Sequence, residues 1–515
     1  MLIGIDMSLT AEKKTGLPSY ARSLVAALAR IDRTNRYLLY PFVWHSFPPN
    51  YRSAFCPRQR NFRQARRGVP AALIDYLWRH SKIDNDWLIG GDPDVYFSPF
   101  HSVPPRHFKR LVSVFHDVAF RVHPEFSTQV NLEHCETQFQ RAVVGADKMV
   151  TVSHFSKAEI VKHMGVPADW IAVTHEAADP MYRRIEGARI PERIRKELRQ
   201  TEQTILYVGS VEPRKNLSTL VEAFRALCAR GRCDAQLIIA GGSGWKNTQV
   251  YAAVDEYGLG DRVHFTGYVT DQELVELYNS TAVFVFPTIY EGFGLPVIEA
   301  MSCGTAVVTT RVASIPEIGG DAVAYVDDPY DADGLSQRLE DVLLDRELRR
   351  DLGSRGMARA ATFTWERTAR ETLAVIEEVH RDPAFQRREV EVGRDERGLH
   401  RGWYAAEFDN GKAFRWSKRR GSVRLVPRPG TLVVEAAGGV PGDEQVLGVR
   451  VDGHLVGHGS LGHAWRTMRF AIPPEIPTDR EVEIALEVNF ALPPSIKGGD
   501  PRELGARVVR VAFEG

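Results

Sequence analysis

The chain has 515 residues, of which 43% are hydrophobic and 26% are charged. This composition is typical of a folded protein of about three domains. Lysine and arginine together number 66, as do aspartate and glutamate, which excludes the overall positive field of a nucleic-acid-binding protein, and we expect no nucleic-acid partner. The five cysteines are scattered and favour reduced thiols over a disulfide framework or a zinc site.

The N-terminal stretch MLIGIDMSLT lacks the basic n-region of a signal peptide and is typical of a first β-strand. No apolar run approaches the roughly 18 residues that a membrane-spanning helix requires. We therefore predict a cytoplasmic protein without a transmembrane segment.

Apolar runs alternate with helical patterns from Leu2 to about His175. The runs are LIGIDM, YLLYPFV, VYFSPF, LVSVFHDV, KMVTVS and IAVTH. Short strands separated by helices predict repeated βαβ units around a parallel sheet. Residues 1–185 are therefore predicted to form a Rossmann-like N-terminal domain.

A charged stretch over residues 182–203 interrupts this pattern, which then begins again. The second set of runs is TILYVGS, QLIIAGG, RVHFTGY, AVFVFPT, TAVVTT and AVAYVDD. They predict a second doubly wound, Rossmann-like domain over residues 186–382, which ends in a helix over 362–382.

The composition changes again after this helix. Residues 383–400 form a charged linker without periodicity, and residues 401–515 show period-two alternation with turn signals such as PRPG and VDGH. Short strands with frequent turns predict an all-β accessory domain, a β-sandwich.

The stretch PTIYEGFGLPVIEA contains two glutamates that flank a strand-to-helix loop. Glu291 follows a predicted strand, and Pro296 suits the first turn of the next helix, so the loop between them presents free backbone N–H groups to an anion. Glu299 lies one turn further in, where the helix dipole favours a carboxylate that can accept two O–H bonds from a ribose. The alternative is that both glutamates are solvated charges at a helix end.

The stretch YVGSVEPRKN places Arg214 and Lys215 between a strand and a helix, with Asn216 as the expected N-cap. Two adjacent cations at the mouth of a parallel sheet suit a diphosphate. As an isolated pair they would more often be solvated surface charges.

The motifs EGFGLPVIEA and VEPRKN resemble those of the family 4 retaining glycosyltransferases, which have the GT-B fold of two facing Rossmann-like domains. The resemblance covers about residues 1–382. It implies a hexosyltransferase that takes a nucleotide sugar as donor and a glycan or lipid-linked molecule as acceptor. It also implies that the helix over 362–382 crosses back onto the N-terminal, acceptor-side domain.

The resemblance implies a role for each site residue. Glu299 would bind the ribose hydroxyls, while Arg214 and Lys215 would neutralise the diphosphate and its developing charge in catalysis. Glu291 would contact the transferred sugar as a catalytic residue. The backbone expected to hold the sugar and phosphates belongs to Phe293, Gly294 and Leu295.

Two residues of the N-terminal domain are further candidates by resemblance. Gly16, in KKTGLPSYARSL, matches the loop that approaches the diphosphate, although this loop has one glycine where many members have two or more. His116, in VSVFHDVAF, matches a catalytic histidine near the transferred sugar; the alternative is a core histidine with its hydrogen bonds satisfied.

Retention of anomeric configuration is implied, yet no residue suggests itself as a covalent nucleophile, so we expect front-face attack. No metal site and no cofactor are expected, and activity should persist in excess chelator. The stretches FHDVAF and VSHFSKAEI are similar to bacterial members that transfer mannose from GDP-mannose in surface polysaccharide synthesis. A UDP-sugar donor, or a non-catalytic glycan-binding scaffold on the same fold, are the alternatives.

Two features bear on the acceptor. Residues 51–68 contain six arginines and no acid, so this segment would contact anionic lipid headgroups at the inner face of the membrane, or a lipid-linked diphosphate; a solvated loop is the alternative. The accessory domain offers aromatic residues for a sugar-stacking face, although burial is the commoner fate of tryptophan in a sandwich. These residues are Trp403, Tyr404, Trp416 and Trp465.

Overall fold

The structure is a computed structural model. The residues it describes are 1–11, 16–40, 54–65, 91–100, 110–199, 201, 203–242, 244, 248–381, 389–393, 399–409, 412–428, 430–438, 445–478, 481–489, 491 and 504–514. They belong to two compact units: the first comprises Met1–Ser102, Val112–Phe139 and Lys148–Ile376, and the second comprises Val103–Leu111, Gln140–Asp147 and Glu377–Gly515. Among the described residues, no helix has both the length and the apolar character needed to cross a bilayer.

The N-terminal half of the first unit is built on a parallel sheet. Its strands are β1 (Leu2–Asp6), β2 (Arg36–Tyr40), β3 (Phe62–Gln64), β4 (Val95–Ser98), β5 (Leu111–Val114), β6 (Lys148–Thr151) and β7 (Ile171–Val173). Its helices are α1 (Leu17–Ile31), α2 (Ala119–Val122), α3 (Gln129–Gly145) and α4 (His154–Met164). The strand order is β3-β2-β1-β4-β5-β6-β7, so the chain order reverses between β1 and β4.

The C-terminal half of this unit repeats the arrangement. Its strands are β8 (Thr204–Val208), β9 (Gln236–Ala240), β10 (Val263–Gly267), β11 (Val283–Phe286), β12 (Ala306–Thr310) and β13 (Ala324–Val326). Its helices are α5 (Glu192–Arg195), α6 (Leu217–Arg230), α7 (Thr248–Glu256), α8 (Asp271–Ser280), α9 (Leu295–Ser302), α10 (Ile315–Gly319), α11 (Ala332–Leu344), α12 (Arg346–Ala360) and α13 (Trp365–Arg381). Short 3-10 turns span Ser8–Ala11, Pro124–Phe126, Ala168–Trp170 and Pro213–Lys215.

The order of the second sheet is β10-β9-β8-β11-β12-β13. The inner strands of both sheets are almost entirely buried, while the edge strands β3, β7, β10 and β13 are only partly buried. The burial of the inner strands explains why they read as continuous apolar runs. In the second sheet the chain order reverses between β8 and β11, and ligands of such sheets bind where the loops after those two strands diverge. The prediction of two Rossmann-like sheets is confirmed.

Helix α13 contacts the N-terminal half of the first unit. The Trp365 ring lies edge-on to the buried Tyr20 of α1, with ring centroids 5.8 Å apart. The Thr368 hydroxyl donates a hydrogen bond of 2.5 Å to the backbone carbonyl of His175, which follows β7. Helix α13, the last helix of the C-terminal half, is thus held against the N-terminal half.

From Glu389 onward, the described part of the second unit is all β. Its strands are β14 (Glu389–Glu391), β15 (Leu399–Asp409), β16 (Lys412–Leu425), β17 (Thr431–Ala437), β18 (Gln445–Val451), β19 (His454–Leu461), β20 (Arg466–Ala471), β21 (Val482–Val488) and β22 (Arg507–Glu514). The order β19-β18-β21-β16-β22-β17-β20, with β14 on β22 and β15 on β16, makes one antiparallel sheet of nine strands. The all-β prediction is confirmed, and the sheet is continuous because the long β16 pairs with β15, β21 and β22.

Of the four aromatic residues considered for a sugar-stacking face, Trp416 is buried, while Trp403, Tyr404 and Trp465 are half-buried. Trp416 is 3% exposed and lies in a cluster with Phe414. The Arg507 guanidinium sits 4.9 Å from the ring centroid of Trp465, and its Nη1 lies 3.0 Å from a carboxylate oxygen of Asp409. These contacts support a packing role for the cluster over a sugar-stacking face.

Asn216 begins α6 in the left-handed conformation, with φ of 59°. The N-cap hydrogen bond that the sequence predicts is not formed by its side chain. Instead its Nδ2 donates to the backbone carbonyls of Pro287 (3.0 Å) and Pro329 (2.6 Å), and its Oδ1 accepts from Thr219 (2.7 Å). The side chain therefore joins the segments after β8, β11 and β13.

We predict that Asn216→Ala lowers the free energy of unfolding by roughly 3 kcal/mol, from about 1 kcal/mol of left-handed strain and about 1 kcal/mol for each carbonyl left without its donor. Asn216→Gly loses the same hydrogen bonds without the strain and should be less destabilising. Urea unfolding of both variants measures the difference. A glycine variant no more stable than the alanine variant would contradict this assignment.

Candidate functional site

Two loops meet at the carboxyl edge of the C-terminal sheet, one after β8 and one after β11. The backbone N–H of Ile289 donates a 3.0 Å hydrogen bond to the carbonyl of Arg214, and the Thr288 hydroxyl donates to the same carbonyl at 3.2 Å. Because β8 and β11 are neighbours in the sheet, these bonds bring the two sequence motifs into contact. The structure thus joins two stretches that lie more than 70 residues apart.

The Glu291 carboxylate lies between the two predicted phosphate-binding cations. Its Oε2 is 3.0 Å from Nη1 of Arg214, and its Oε1 contacts Nζ of Lys215 and lies 3.2 Å from the Thr288 hydroxyl oxygen. The other end of the guanidinium contacts Glu212, with Nη2 to Oε1 at 3.1 Å. Glu212 completes this ionic network and is not predicted from the sequence, although it precedes Arg214 by only two residues.

The charged groups in this network shift one another's pKa values. Burial alone would raise the pKa of Glu291, but Arg214 and Lys215 outweigh it and hold that pKa below its usual value. Burial would lower the pKa of Arg214, but Glu291, followed by Asp117 and Glu212, raises it overall. The pKa of Lys215 is lowered by burial and by the neighbouring guanidinium. The site therefore holds a permanent positive fork beside an ionised carboxylate.

The loop after Glu291 leads directly into α9. Gly294 adopts φ of 109° just before the helix begins at Leu295, a conformation that favours glycine. The Ser314 hydroxyl lies within hydrogen-bond distance of the carbonyls of both Glu291 (2.9 Å) and Phe293 (2.8 Å). The loop expected to hold the sugar and phosphates is thus fixed by a serine that the sequence does not predict.

Glu299 lies apart from the ionic network and in a different electrostatic environment. Its Oε2 accepts a hydrogen bond of 3.1 Å from the Tyr278 hydroxyl of α8. Burial raises the pKa of Glu299 from 4.5 to about 8, with further contributions from the carboxylates of Asp179, Asp271 and Glu176. The ionised form expected from its place in the helix is therefore not favoured at neutral pH in the unliganded protein.

His116 lies just after β5, and both of its ring nitrogens have partners within the protein. Nδ1 is 3.0 Å from Oε1 of Glu176, and Nε2 is 3.1 Å from the backbone carbonyl of Pro99. The Tyr20 ring packs edge-on to the imidazole at 4.7 Å. The side chain thus has the contacts of a satisfied core histidine, and Glu176 is a partner that the sequence does not predict.

The backbone of His116 nevertheless lies against the Glu291 loop. The Ser156 hydroxyl lies within hydrogen-bond distance of the carbonyls of both His116 (2.9 Å) and Gly292 (3.1 Å), and the Ser153 hydroxyl donates to Gly292 at 2.7 Å. A Cβ atom on Gly292 would lie 2.5 Å from the His116 carbonyl oxygen, so this contact requires glycine. The N-terminal half therefore touches the loop over residues 291–294, which we call the donor loop after the role expected for it.

Gly16 precedes α1 with φ of 49°, and its carbonyl accepts from the backbone N–H groups of Ser19 and Tyr20. A Cβ atom at this position would meet no atom within 4 Å. The preceding residues of its loop, 12–15, lie outside the described residues. The contribution of Gly16 to a diphosphate site stays a prediction.

The raised pKa of Glu299 predicts a stability difference that depends on pH. Between about pH 4.5 and pH 8 the unfolded chain ionises this carboxyl while the folded protein keeps it neutral, so the free energy of unfolding falls as pH rises. Glu299→Gln cannot ionise and escapes this loss. We expect its melting temperature to exceed that of the wild type at about pH 8, and the gap to close near pH 4.5. A gap that is constant with pH would contradict the pKa assignment.

Comparison with known proteins identifies this architecture and these motifs. Residues 189–359 match the model of the family described as glycosyl transferases group 1. The chain is 34% identical over 308 residues to the O-antigen chain mannosyltransferase B of Escherichia coli, covering 60% of this chain and 80% of that protein. It is 29% identical over 235 residues to the serotype-specific mannosyltransferase WbdA of Escherichia coli, covering 45% of this chain and 28% of WbdA.

Among solved structures, the sucrose-phosphate synthase of Thermosynechococcus elongatus superposes with a TM-score of 0.57 at 21% identity, covering 73% of this chain and 98% of that one. This likeness concerns the fold, and it confirms the GT-B arrangement. The family match and the relative above 30% identity establish that the chain belongs to the group 1 glycosyl transferases, the hexosyltransferases of family 4 with the GT-B fold.

Proposed function

We propose that this enzyme is a retaining mannosyltransferase that moves mannose from GDP-mannose to a glycan or lipid-linked acceptor in surface polysaccharide synthesis. The observation that carries the proposal is the buried contact of Glu291 with Arg214 and Lys215, at the point of the C-terminal sheet where ligands bind. The choice of mannose rests on relatives whose names specify mannosyltransferases.

The donor diphosphate would bind at Arg214 and Lys215. In the unliganded protein Glu291 and Glu212 pair with these cations and hold them in place although they are largely buried. A diphosphate would bring further negative charge and would share the guanidinium fork with the carboxylates. Because these hydrogen-bond donors are already in place, they need little reorganisation when negative charge develops on the leaving group.

The transfer would proceed by front-face attack. The bond between the anomeric carbon and the diphosphate oxygen breaks, the acceptor hydroxyl forms the new bond on the same face, and its proton passes to the departing phosphate oxygen. Arg214, Lys215 and the N-terminus of α9 stabilise the negative charge that develops on that oxygen. Glu291 would contact the transferred sugar.

Glu299 would bind the ribose. A carboxyl group that is largely neutral can donate one hydrogen bond and accept another, while the ionised group accepts two. Both forms can engage a vicinal diol. The nearby carboxylates that raise its pKa would then favour binding of a neutral ribose over any anionic group at this position.

The acceptor side would lie in the N-terminal half. Of the arginine-rich segment 51–68, the described part includes Arg58, Arg60 and Arg63, all three of them exposed. Exposed guanidinium groups suit an anionic lipid headgroup or a lipid-linked diphosphate. This supports a cytoplasmic enzyme that works at the inner membrane surface.

We predict that Lys215→Ala lowers turnover by about 10²- to 10³-fold, since removal of one group that stabilises transition-state charge has a cost of this size. The matched control is Lys196→Ala, which removes an exposed lysine from the same half of the enzyme. Steady-state release of nucleoside diphosphate measures both, with circular dichroism to verify folding. Near-normal turnover in folded Lys215→Ala would remove the lysine from the mechanism.

The donor is tested by incubating the full-length protein with GDP-mannose, UDP-glucose or UDP-N-acetylglucosamine and a mannose-terminated oligosaccharide. We expect acceptor-dependent release of GDP and a new α-linked mannose by proton NMR. Transfer from a UDP-sugar alone would refute the GDP-mannose donor and keep the transferase. No release from any donor would favour a non-catalytic scaffold.

A further inference from the structure

Three potential metal ligands come together away from the donor network. They are His154, the exposed first residue of α4, His175 after β7, and Glu317 in α10. One ligand atom from each lies within 4.8 Å of the other two, and Nε2 of His175 is 2.6 Å from Oε1 of Glu317. We propose that these side chains form a binding site for a divalent transition metal ion, with Zn²⁺ as the best-suited metal.

The carboxylate of this cluster is already oriented. Its Oε1 accepts from the backbone N–H of His154 at 2.9 Å, and its Oε2 accepts from that of Phe155 at 3.1 Å. Hydrogen bonds of this kind hold a ligating carboxylate in position. Because each oxygen has two lone pairs, the carboxylate can keep at least one of these bonds and still bind a metal.

The ring of His175 is held as well. The ring packs edge-on to that of Phe363 with centroids 5.6 Å apart, and its centroid lies 6.2 Å from that of Phe293. The backbone carbonyl of His175 accepts a hydrogen bond from Thr368. The His154 ring, 5.5 Å from that of His175, is exposed and has room to turn. Two ligands are therefore fixed and the third lies on the solvent side, which provides an entry path for the ion.

The chemistry of the donor set favours zinc. Two imidazoles and one carboxylate with an open fourth position are a ligand set typical of Zn²⁺, whereas Mg²⁺ and Ca²⁺ prefer oxygen ligands alone. In a tetrahedral zinc site the ligand atoms lie about 3.3 Å apart, since each is about 2.0 to 2.1 Å from the metal. To reach this spacing, the exposed His154 ring would turn toward the other two ligands, and the His175–Glu317 pair, now 2.6 Å apart, would open to about 3.3 Å. The ion would replace a proton between His175 and Glu317.

The site joins the two halves of the first unit. Both histidines belong to the N-terminal half, and Glu317 belongs to the C-terminal half. The segment that bears Glu317 also contains Ser314, which fixes the donor loop. A metal ion here would restrain the halves in one relative position. This is separate from the transfer chemistry, which uses no metal in the mechanism proposed above.

The test is titration of the full-length protein, freed of metal with a chelator, with Co²⁺ as a spectroscopic probe. We expect one equivalent to give the visible absorption of four- or five-coordinate Co²⁺, and Zn²⁺ to displace it. Loss of an outer-shell partner typically weakens metal affinity by about 10- to 100-fold. His154→Ala removes a direct ligand and should weaken the affinity for Co²⁺ by more than this. Because His154 is exposed, this variant should fold.

The matched control is His163→Ala, which removes an exposed histidine from the last turn of the same helix and should bind Co²⁺ like the wild type. Zn²⁺ should also raise the melting temperature of the wild type and of His163→Ala, but not of His154→Ala. Absence of the absorption band, or equal affinity in wild type and His154→Ala, would overturn the metal site. None of these readouts depends on transferase activity.

Discussion

The contact of the Glu291 carboxylate with Arg214 and Lys215 is the interaction on which the proposed donor site depends. A buried charge is tolerated only when it is paired, and breaking such a pair commonly costs about 3 to 5 kcal/mol. The loops after β8 and β11 can therefore adopt their observed course only together. The fold brings them together because those two strands are neighbours where the chain order reverses.

Three glutamates near the donor loop have three electrostatic environments. Glu291 is ionised against two cations, Glu299 is largely neutral at pH 7 because burial raises its pKa to about 8, and Glu317 accepts from two backbone N–H groups and from His175. Identical side chains are thus paired with cations, kept largely neutral by burial, or hydrogen-bonded across the two halves. Environment rather than residue type separates these roles.

The sequence predicts the sheets and the residues at the mouth of the second sheet, because strand-to-helix loops and their cations are encoded in local spacing. It does not predict contacts between distant segments. Ser156 bridges His116 and Gly292, which are 176 positions apart by number, and Glu317 meets His154 and His175 from more than 140 positions away. The Asn216 side chain likewise leaves its own helix for two distant carbonyls, which local capping rules cannot foresee.

The measurement that tests the central claim most directly is the melting temperature of the full-length wild type and of Lys215→Ala with GDP, UDP and ADP. A ligand at 100 times its dissociation constant adds about 2.7 kcal/mol, or roughly 2 to 4 °C for a domain of 150 to 250 residues. Our expectation is that GDP stabilises the wild type and that Lys215→Ala loses this stabilisation. No stabilisation by any nucleotide, or an equal effect of GDP on both proteins, would contradict it.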